Sequence, residues 1–425
     1  MVPLVSLVPP MSQSASVRFH PRCNIRATVR VGFLSAHNYL DVSQWSGTLF
    51  YMQQTLAEKG FQVIRLGTPR VYPDWQRKLL SYIERFKNVL APSPFYPPIQ
   101  EQWLRQVERQ IGAADCDFIF APIASKEIAL LNTSVPIIYV SDSTAKLFCQ
   151  EHLYTHAQGQ QSKLDEATLK DMERFEAIAL AKAEHVIYPS QWAAQSAIDD
   201  YGVASSKVSV IPFGANLEHP PDAAKVFESR QTNPLMPCRL LFIGVDWQRK
   251  GGDIAFHTLL ELLHRNIDAE LTVVGTVPPP HIHHEKLTVI PHLDKNCPQQ
   301  RHRLNQLLQQ SHFLLLPSRA ECYGIALCEA SAFGLPVLTT AVGGISTIVK
   351  NGQNGYKLPL DACSSDYADR LVEILADPAH YHQLTLGSRS EYDQRLNWNC
   401  WAEALHALLR SLQNRCVPSN TSSRS

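Results

Sequence analysis

Two glutamates, Glu321 and Glu329, stand with seven residues between them in the stretch PSRAECYGIALCEASAFGLPVLTTAVGGISTIVKNGQNGY. Glu321 falls in the loop after an apolar run, HFLLLPS (312–318). Gly324 opens the helical segment GIALCEASAFG, and Glu329 lies about one turn inside it. Both carboxylates can then face one cleft, one from the loop and one from the helix. The first amides of that helix, at Gly324 and Ile325, form a ready anion site, because the opening N–H groups of a helix have no partner within it. A glycine there lets a diphosphate approach the backbone, and a carboxylate can take two hydrogen bonds from a ribose diol.

The elements that must position these groups follow from periodicity. Short apolar runs at 29–36, 61–67, 117–122, 136–142, 185–190 and 207–214 read as strands, with helical stretches at 48–60, 173–184 and 191–202 between them. Continuous apolar strands alternating with helices imply a parallel sheet covered on both faces. A proline-rich, weakly periodic stretch at 218–238 reads as a linker. The alternation then restarts, with strands at 238–244, 269–275, 286–291, 312–318 and 335–340 and a helix at 253–266. A final amphipathic helix, 398–412, places Trp401, Leu405, Leu408, Leu409 and Leu412 on one side. The fold class is therefore α/β, with two Rossmann-like, doubly wound domains. Ligands bind outside the carboxyl ends of such strands, so a site between the two halves is expected.

The 317–344 stretch resembles the E-x7-E region of the retaining glycosyltransferases of family 4, which have the GT-B fold. The resemblance rests on Pro317, Ser318, Glu321, Tyr323, Gly324, Glu329, Ala330, Ala332, Gly334, Pro336, Val337, Gly343 and Gly344. LLFIGVDWQRKGGDIA (240–255) is similar to the family's strand and loop ending in a basic pair and glycine, and 185–218 is similar to the segment that ends its first domain. The resemblance implies that Arg249 and Lys250, with the amides at Gly324 and Ile325, stabilise the donor diphosphate. It implies that Glu321 positions the donor sugar's hydroxyls and that Glu329 holds the ribose. In the first domain, Ser46-Gly47 matches the glycine-rich loop at a helix start, where Ser46 serves either the donor or the helix as an N-cap. Asp142 matches an aspartate after a strand, which reads equally as an acceptor-side hydrogen bonder and as a helix cap. Three positions depart from the family pattern: Val245 replaces a common arginine, Ser141 a histidine, and Thr347 a glutamate.

The resemblance covers about 29–412 and divides the chain as follows. Residues 1–28 are expected to be a disordered tail, although Arg18, Arg22 and Arg26 without acidic residues weakly resemble a transit segment. Residues 29–217 form an acceptor-side domain, 218–238 a linker, 239–397 a nucleotide-sugar-binding domain, 398–412 a helix crossing back, and 413–425 a flexible tail. The implied reaction moves a sugar from a nucleotide-sugar donor to an acceptor hydroxyl with retention, using no metal or other cofactor. The alternatives are a GT-B epimerase or hydrolase acting on the donor, and a catalytically silent nucleotide-sugar binder.

The 425 residues carry 39 Lys+Arg against 39 Asp+Glu. Zero net charge argues against a general nucleic-acid binder. No apolar run approaches the roughly 18 residues of a spanning helix, so the chain is expected to be cytoplasmic. The segment 75–90 pairs an apolar face with Arg77, Lys78, Arg85 and Lys87. That pattern suits a peripheral contact with an anionic membrane, but a domain helix with a wet basic face is preferred. Ten scattered cysteines without a C-x-x-C spacing fit reduced thiols. Asp115-Cys116-Asp117 begins a strand, at the wrong end of the sheet for a ligand, and His281, His283 and His284 lack metal-ligand spacing.

Overall fold

The computed structural model describes residues 28–35, 37–67, 97–150 and 166–415. It contains two parallel six-stranded sheets. The first has strands β1 (Arg30–Leu34), β2 (Gln62–Leu66), β3 (Phe118–Pro122), β4 (Ile137–Val140), β5 (His185–Tyr188) and β6 (Val208–Val210) in the order β2-β1-β3-β4-β5-β6. The second has β7 (Cys238–Ile243), β8 (Ala269–Val274), β9 (Leu287–Ile290), β10 (Phe313–Leu316), β11 (Val337–Thr340) and β12 (Gly355–Leu358) in the order β12-β11-β10-β7-β8-β9. In each sheet the order reverses next to the first strand, which creates a crevice at the carboxyl ends of the central strands.

The unbroken apolar runs have a plain cause. Phe118 and Phe120 of β3 pack into the core on one face of the first sheet, while Ile119 and Ala121 pack into the core on the other. Successive side chains of a strand point to opposite faces, so a strand covered on both sides has no position left for a polar residue. The core on the Phe118 face continues into the second sheet, through Phe213 and Tyr323 to Phe313, Leu314 and Leu327.

Two elements add to those expected from the sequence. The 218–238 linker carries a helix, Ala223–Thr232, which starts after Pro220-Pro221 with the Asp222 side chain accepting from Ala224 N at 2.9 Å. Arg230 on this helix is buried. Its guanidinium donates to the carbonyls of Phe333 (3.1 Å), Leu308 (2.8 Å) and Ser311, and so sews the connection to the second domain. The half-exposed edge strand β12, whose polar character hid it, pairs with β11 from Val337↔Gly355 to Thr340↔Leu358. The helices Pro97–Ala114, Pro298–Gln310, Ser364–Ala376 and Pro378–Gln394 also complete the layers. The basic segment 75–90 and residues 1–27 lie outside the described residues.

The last helix, Trp398–Arg415, extends three residues past its expected end and packs on the first domain, against the helix Thr48–Glu58. Trp401 meets Phe120 edge-on, with ring centroids 5.9 Å apart. Trp398 stacks over Phe213 at 6.0 Å, and the returning chain bonds the outgoing one through Ala215 N to Leu396 O at 2.9 Å. No helix among the described residues is long and apolar enough to cross a membrane. Trp401 is fully buried. Truncation of a buried tryptophan costs about 3–5 kcal/mol, so Trp401→Ala should lower the urea midpoint of the first domain's unfolding by a corresponding amount. An unchanged midpoint would contradict the docking of this helix.

Candidate functional site

The basic pair is placed by a turn at the carboxyl end of β7. The Asp246 carboxylate accepts from Arg249 N at 3.0 Å, and Lys250 N bonds Asp246 O at 3.1 Å. Gly251 then takes φ 73°, and a Cβ there would lie 2.0 Å from the carbonyl oxygen of Pro317. Only glycine permits both that conformation and that approach. A brace fixes the two loops side by side: Arg319 N bonds Arg249 O at 2.7 Å, and the Arg319 guanidinium grips Asp253 at 2.8 and 2.7 Å. Burial alone would raise the Asp253 carboxyl, but the Arg319 fork holds it below the usual carboxylate range.

The outcome is a nearly buried ion pair. The Lys250 ammonium bonds the Glu321 carboxylate. Arg249 lies beside it, its guanidinium donating to Ala320 O at 3.1 Å, while Val245 is exposed. Arg249 thus approaches the site from the loop, on the residue preceding Glu321. Gly324 sits at φ 100° and caps the eight-residue helix Ile325–Ala332, and a Cβ on it would lie 3.5 Å from the Glu321 side chain. Thr347 is half-buried and bonds its amide to Gly344 O.

Glu329, on that helix, is 1% exposed, and its Oε1 lies 2.6 Å from the Nζ of Lys295. Burial pushes the Glu329 carboxyl up and Lys295 opposes the shift. Lys295 comes from the loop after β9, where a lone lysine in a polar segment gave no signal. Its neighbour Asn296 reaches the first domain: its side chain accepts from Val42 N and donates to Asp41 Oδ1, both at 3.1 Å.

Across the crevice, the loop after β1 ends in three left-handed residues, Trp45 (φ 48°), Ser46 (φ 58°) and Gly47 (φ 95°). Gly47, not Ser46, occupies the cap position of the helix Thr48–Glu58, and no side chain caps it. The N-cap reading of Ser46 is therefore set aside. Ser46 instead exposes its side chain and gives its carbonyl to Asn216 Nδ2 at 2.8 Å. Asn216 in turn accepts from the Trp398 indole at 3.0 Å. Strain at a bulky residue such as Trp45 persists only where the surroundings over-determine it.

The Trp45 indole donates to Asp142 Oδ2 at 3.0 Å. Burial raises the Asp142 carboxyl to about 6, with the indole opposing the shift and the nearby Glu321 charge adding to it. The capping role considered for Asp142 falls to Thr144, whose hydroxyl oxygen accepts from Leu147 N at 3.3 Å, while the buried carboxylate of Glu176 takes Ala145 N and the Tyr139 hydroxyl, the latter at 2.9 Å. Ser141 is also structural here, its hydroxyl donating to Ser143 O at 2.8 Å. Glu176 and Asn216 support the site from sequence positions that carry no chemical motif of their own.

Away from the crevice, Asp115 and Asp117 meet Arg30 at the amino end of β3. Among the described residues no three His, Cys, Asp or Glu side chains group as a metal site.

Comparison with known proteins settles the family. Residues 48–219 match the model for glycosyltransferase family 4, and residues 237–377 match that for glycosyl transferases group 1. The chain belongs to the family 4 glycosyltransferases. Both family segments carry parts of the crevice, Asp142 in the first and Lys250, Glu321 and Glu329 in the second. Relatives include a D-inositol 3-phosphate glycosyltransferase of Catenulispora acidiphila, 29% identical over 55% of this chain and 58% of its own length. Another, of Nocardia farcinica, is 28% identical over 47% of this chain and 46% of its own. The match thus spans about half the length of these curated relatives. Among solved structures, sucrose-phosphate synthase from Thermosynechococcus elongatus superposes with a TM-score of 0.63 at 18% identity, covering 91% of this chain and 100% of its own. Anabaena HepE in complex with UDP-glucose superposes at 0.59 and 16% identity, covering 90% and 99%. These place the family 4 chain in the GT-B fold.

The Asp142 environment yields a stability test. A carboxyl raised in the folded state binds its proton more tightly there than in the unfolded chain. Its stabilising contribution is complete below about pH 3.9 and is lost as the pH rises through about 6. Asp142→Asn keeps an oxygen for the indole and removes the charge. It should be more stable than the parent at pH 7, on the order of 1–3 kcal/mol, with the difference shrinking toward pH 4 in urea titrations. A pH-independent difference would refute the assigned environment.

Proposed function

We propose that the protein transfers a glycosyl group from a nucleotide sugar to an acceptor hydroxyl with retention at the anomeric carbon. The observation that carries this reading is the Lys250–Glu321 pair beside the helix start at Gly324. A cation, a carboxylate and free backbone amides meet at the carboxyl edge of the second sheet. Supporting it, relatives bear the name of D-inositol 3-phosphate glycosyltransferases, and a GT-B neighbour was solved with UDP-glucose.

In this reading the donor diphosphate lies on the amides of Gly324 and Ile325, facing Lys250 and Arg249. The bond between the anomeric carbon and the diphosphate oxygen lengthens, and negative charge grows on the leaving phosphate. Fixed cations and amides stabilise that charge most in the transition state, where it is largest, and so accelerate the reaction. They carry that charge without a metal. The acceptor oxygen attacks from the face the diphosphate leaves, and its proton passes to a leaving-phosphate oxygen. No side-chain nucleophile is needed. Glu321 takes hydrogen bonds from donor-sugar hydroxyls once Lys250 shares its contact with the phosphate. Glu329 takes the ribose diol, and Gly47 offers its amide from the opposite wall. Asp142, held by Trp45, accepts from a hydroxyl on the acceptor side.

Two outcomes test the reading. In a thermal-shift panel of nucleoside diphosphates, one should raise the melting temperature. A ligand at a hundredfold excess over its Kd adds about 2.7 kcal/mol to the folded state. Lys250→Ala should keep the parent's circular dichroism and lower transfer or donor hydrolysis by at least about a hundredfold, the scale on which loss of one oxyanion-stabilising group acts. Near-normal turnover in purified Lys250→Ala would sink the assignment. Donor consumption with inversion, or epimerised donor without transfer, would favour the epimerase or hydrolase alternative.

A further inference from the structure

We propose that Lys295 is a positioning residue that holds Glu329 as a carboxylate, and thereby sets the site's preference for ribose over deoxyribose in the donor nucleotide. The inference rests on the reading of Glu329 as the ribose contact. Glu329 is buried on the helix Ile325–Ala332, and the cation bonded to it is Lys295, at 2.6 Å. A cis diol presents two hydroxyl donors. A carboxylate accepts from both, whereas a protonated carboxyl turns one of its oxygens into a competing donor. An unpaired carboxylate taken out of water goes neutral, so the binding form depends on a facing cation.

The lysine is held where it must be. Lys295 O accepts from the Arg301 guanidinium at 2.8 Å, and Asp294 accepts from Asn296 N at 2.8 Å. Asp294 N donates to Gln300 at 2.8 Å, and Asn296 ties the same turn to Asp41 and Val42 of the first domain. The other charged and titratable groups nearby do not substitute for it. Arg301 is engaged by Glu218 at 2.5 Å, and Tyr51, which senses the Glu329 charge from the helix Thr48–Glu58, has its hydroxyl pushed well above its ordinary value, chiefly by burial. The Lys295 side chain retains some exposure, as expected of an ammonium that also borders ligand space.

The test measures binding alone, by calorimetry with UDP and GDP, each against its 2′,3′-dideoxy counterpart. The parent should prefer the ribonucleotide at least about tenfold, the effect of one charge-assisted hydrogen bond. In Lys295→Met that ratio should fall to within about twofold of unity, while Lys295→Arg restores most of it. In a Glu329→Gln background, where the ratio is already low, adding Lys295→Met should change it no further. Such non-additivity is expected only if the lysine acts through the glutamate. Retention of the parental ratio in Lys295→Met, or an equal loss of affinity for both ligands, overturns the proposal. A parent that binds nucleoside diphosphates without ribose preference overturns it while leaving the nucleotide-site reading intact. A parent that binds none of the nucleoside diphosphates in the thermal-shift panel overturns both.

Discussion

Two carboxylates held out of water govern the crevice. Each must face a cation or lose its charge, since desolvating an ionised group is costly unless a partner repays it. Glu321 meets Lys250 and Glu329 meets Lys295, from loops that follow different strands. The supporting structure reads as the means of delivering those ammonium groups. Gly251 lets the first loop lie on the Pro317 carbonyl, and the Arg319–Asp253 fork stops it from sliding. The turn at 294–297, tied to Arg301 and Gln300, delivers the second.

The opposite wall obeys a different constraint. Trp45 and Ser46 occupy a backbone conformation that residues with side chains rarely adopt, closed locally by the bond from Thr48 N to Trp45 O. It is also held from outside. Phe213 packs edge-on against Trp45 at 5.5 Å and Tyr323 at 5.4 Å while stacking on Trp398, so one ring touches both walls and the returning helix. Tyr323 also donates its hydroxyl to Phe213 O at 3.2 Å. The two domains therefore meet through aromatic faces and a few directed bonds.

Much of this was legible in the sequence. Central strands buried on both faces leave continuous apolar runs, and the edge strands β2, β6 and β9 still carry short ones, so eleven of the twelve strands were visible. The missed strand, β12, is the half-exposed GYKL, which holds no apolar run to read. The linker helix was hidden by its prolines, although Asp222 after Pro221 is an ordinary helix start. In the site, Glu321, Glu329, Arg249 and Lys250 were readable because a loop and a helix start fix their spacing locally. Lys295, Asn216 and Glu176 were not. Their roles depend on which distant segment they meet, and Asn216 meets partners 170 and 182 residues away. Ser46 and Asp142 each admit two readings from the sequence. The choice turned on which group caps the next helix, which only the packed structure decides.

The side chain of Asn216 has a consequence for the order in which the protein is made. Its amide joins the Ser46 carbonyl to the Trp398 indole. During synthesis the first sheet can assemble once residue 210 has left the ribosome, and the second can follow as a unit of its own. The turn at 45–47 still lacks its outer support at that stage, because the tryptophan that orients Asn216 lies in the last helix. The crevice is thus completed by a helix translated after both sheets, and a nascent chain holds two formed sheets before it holds that crevice.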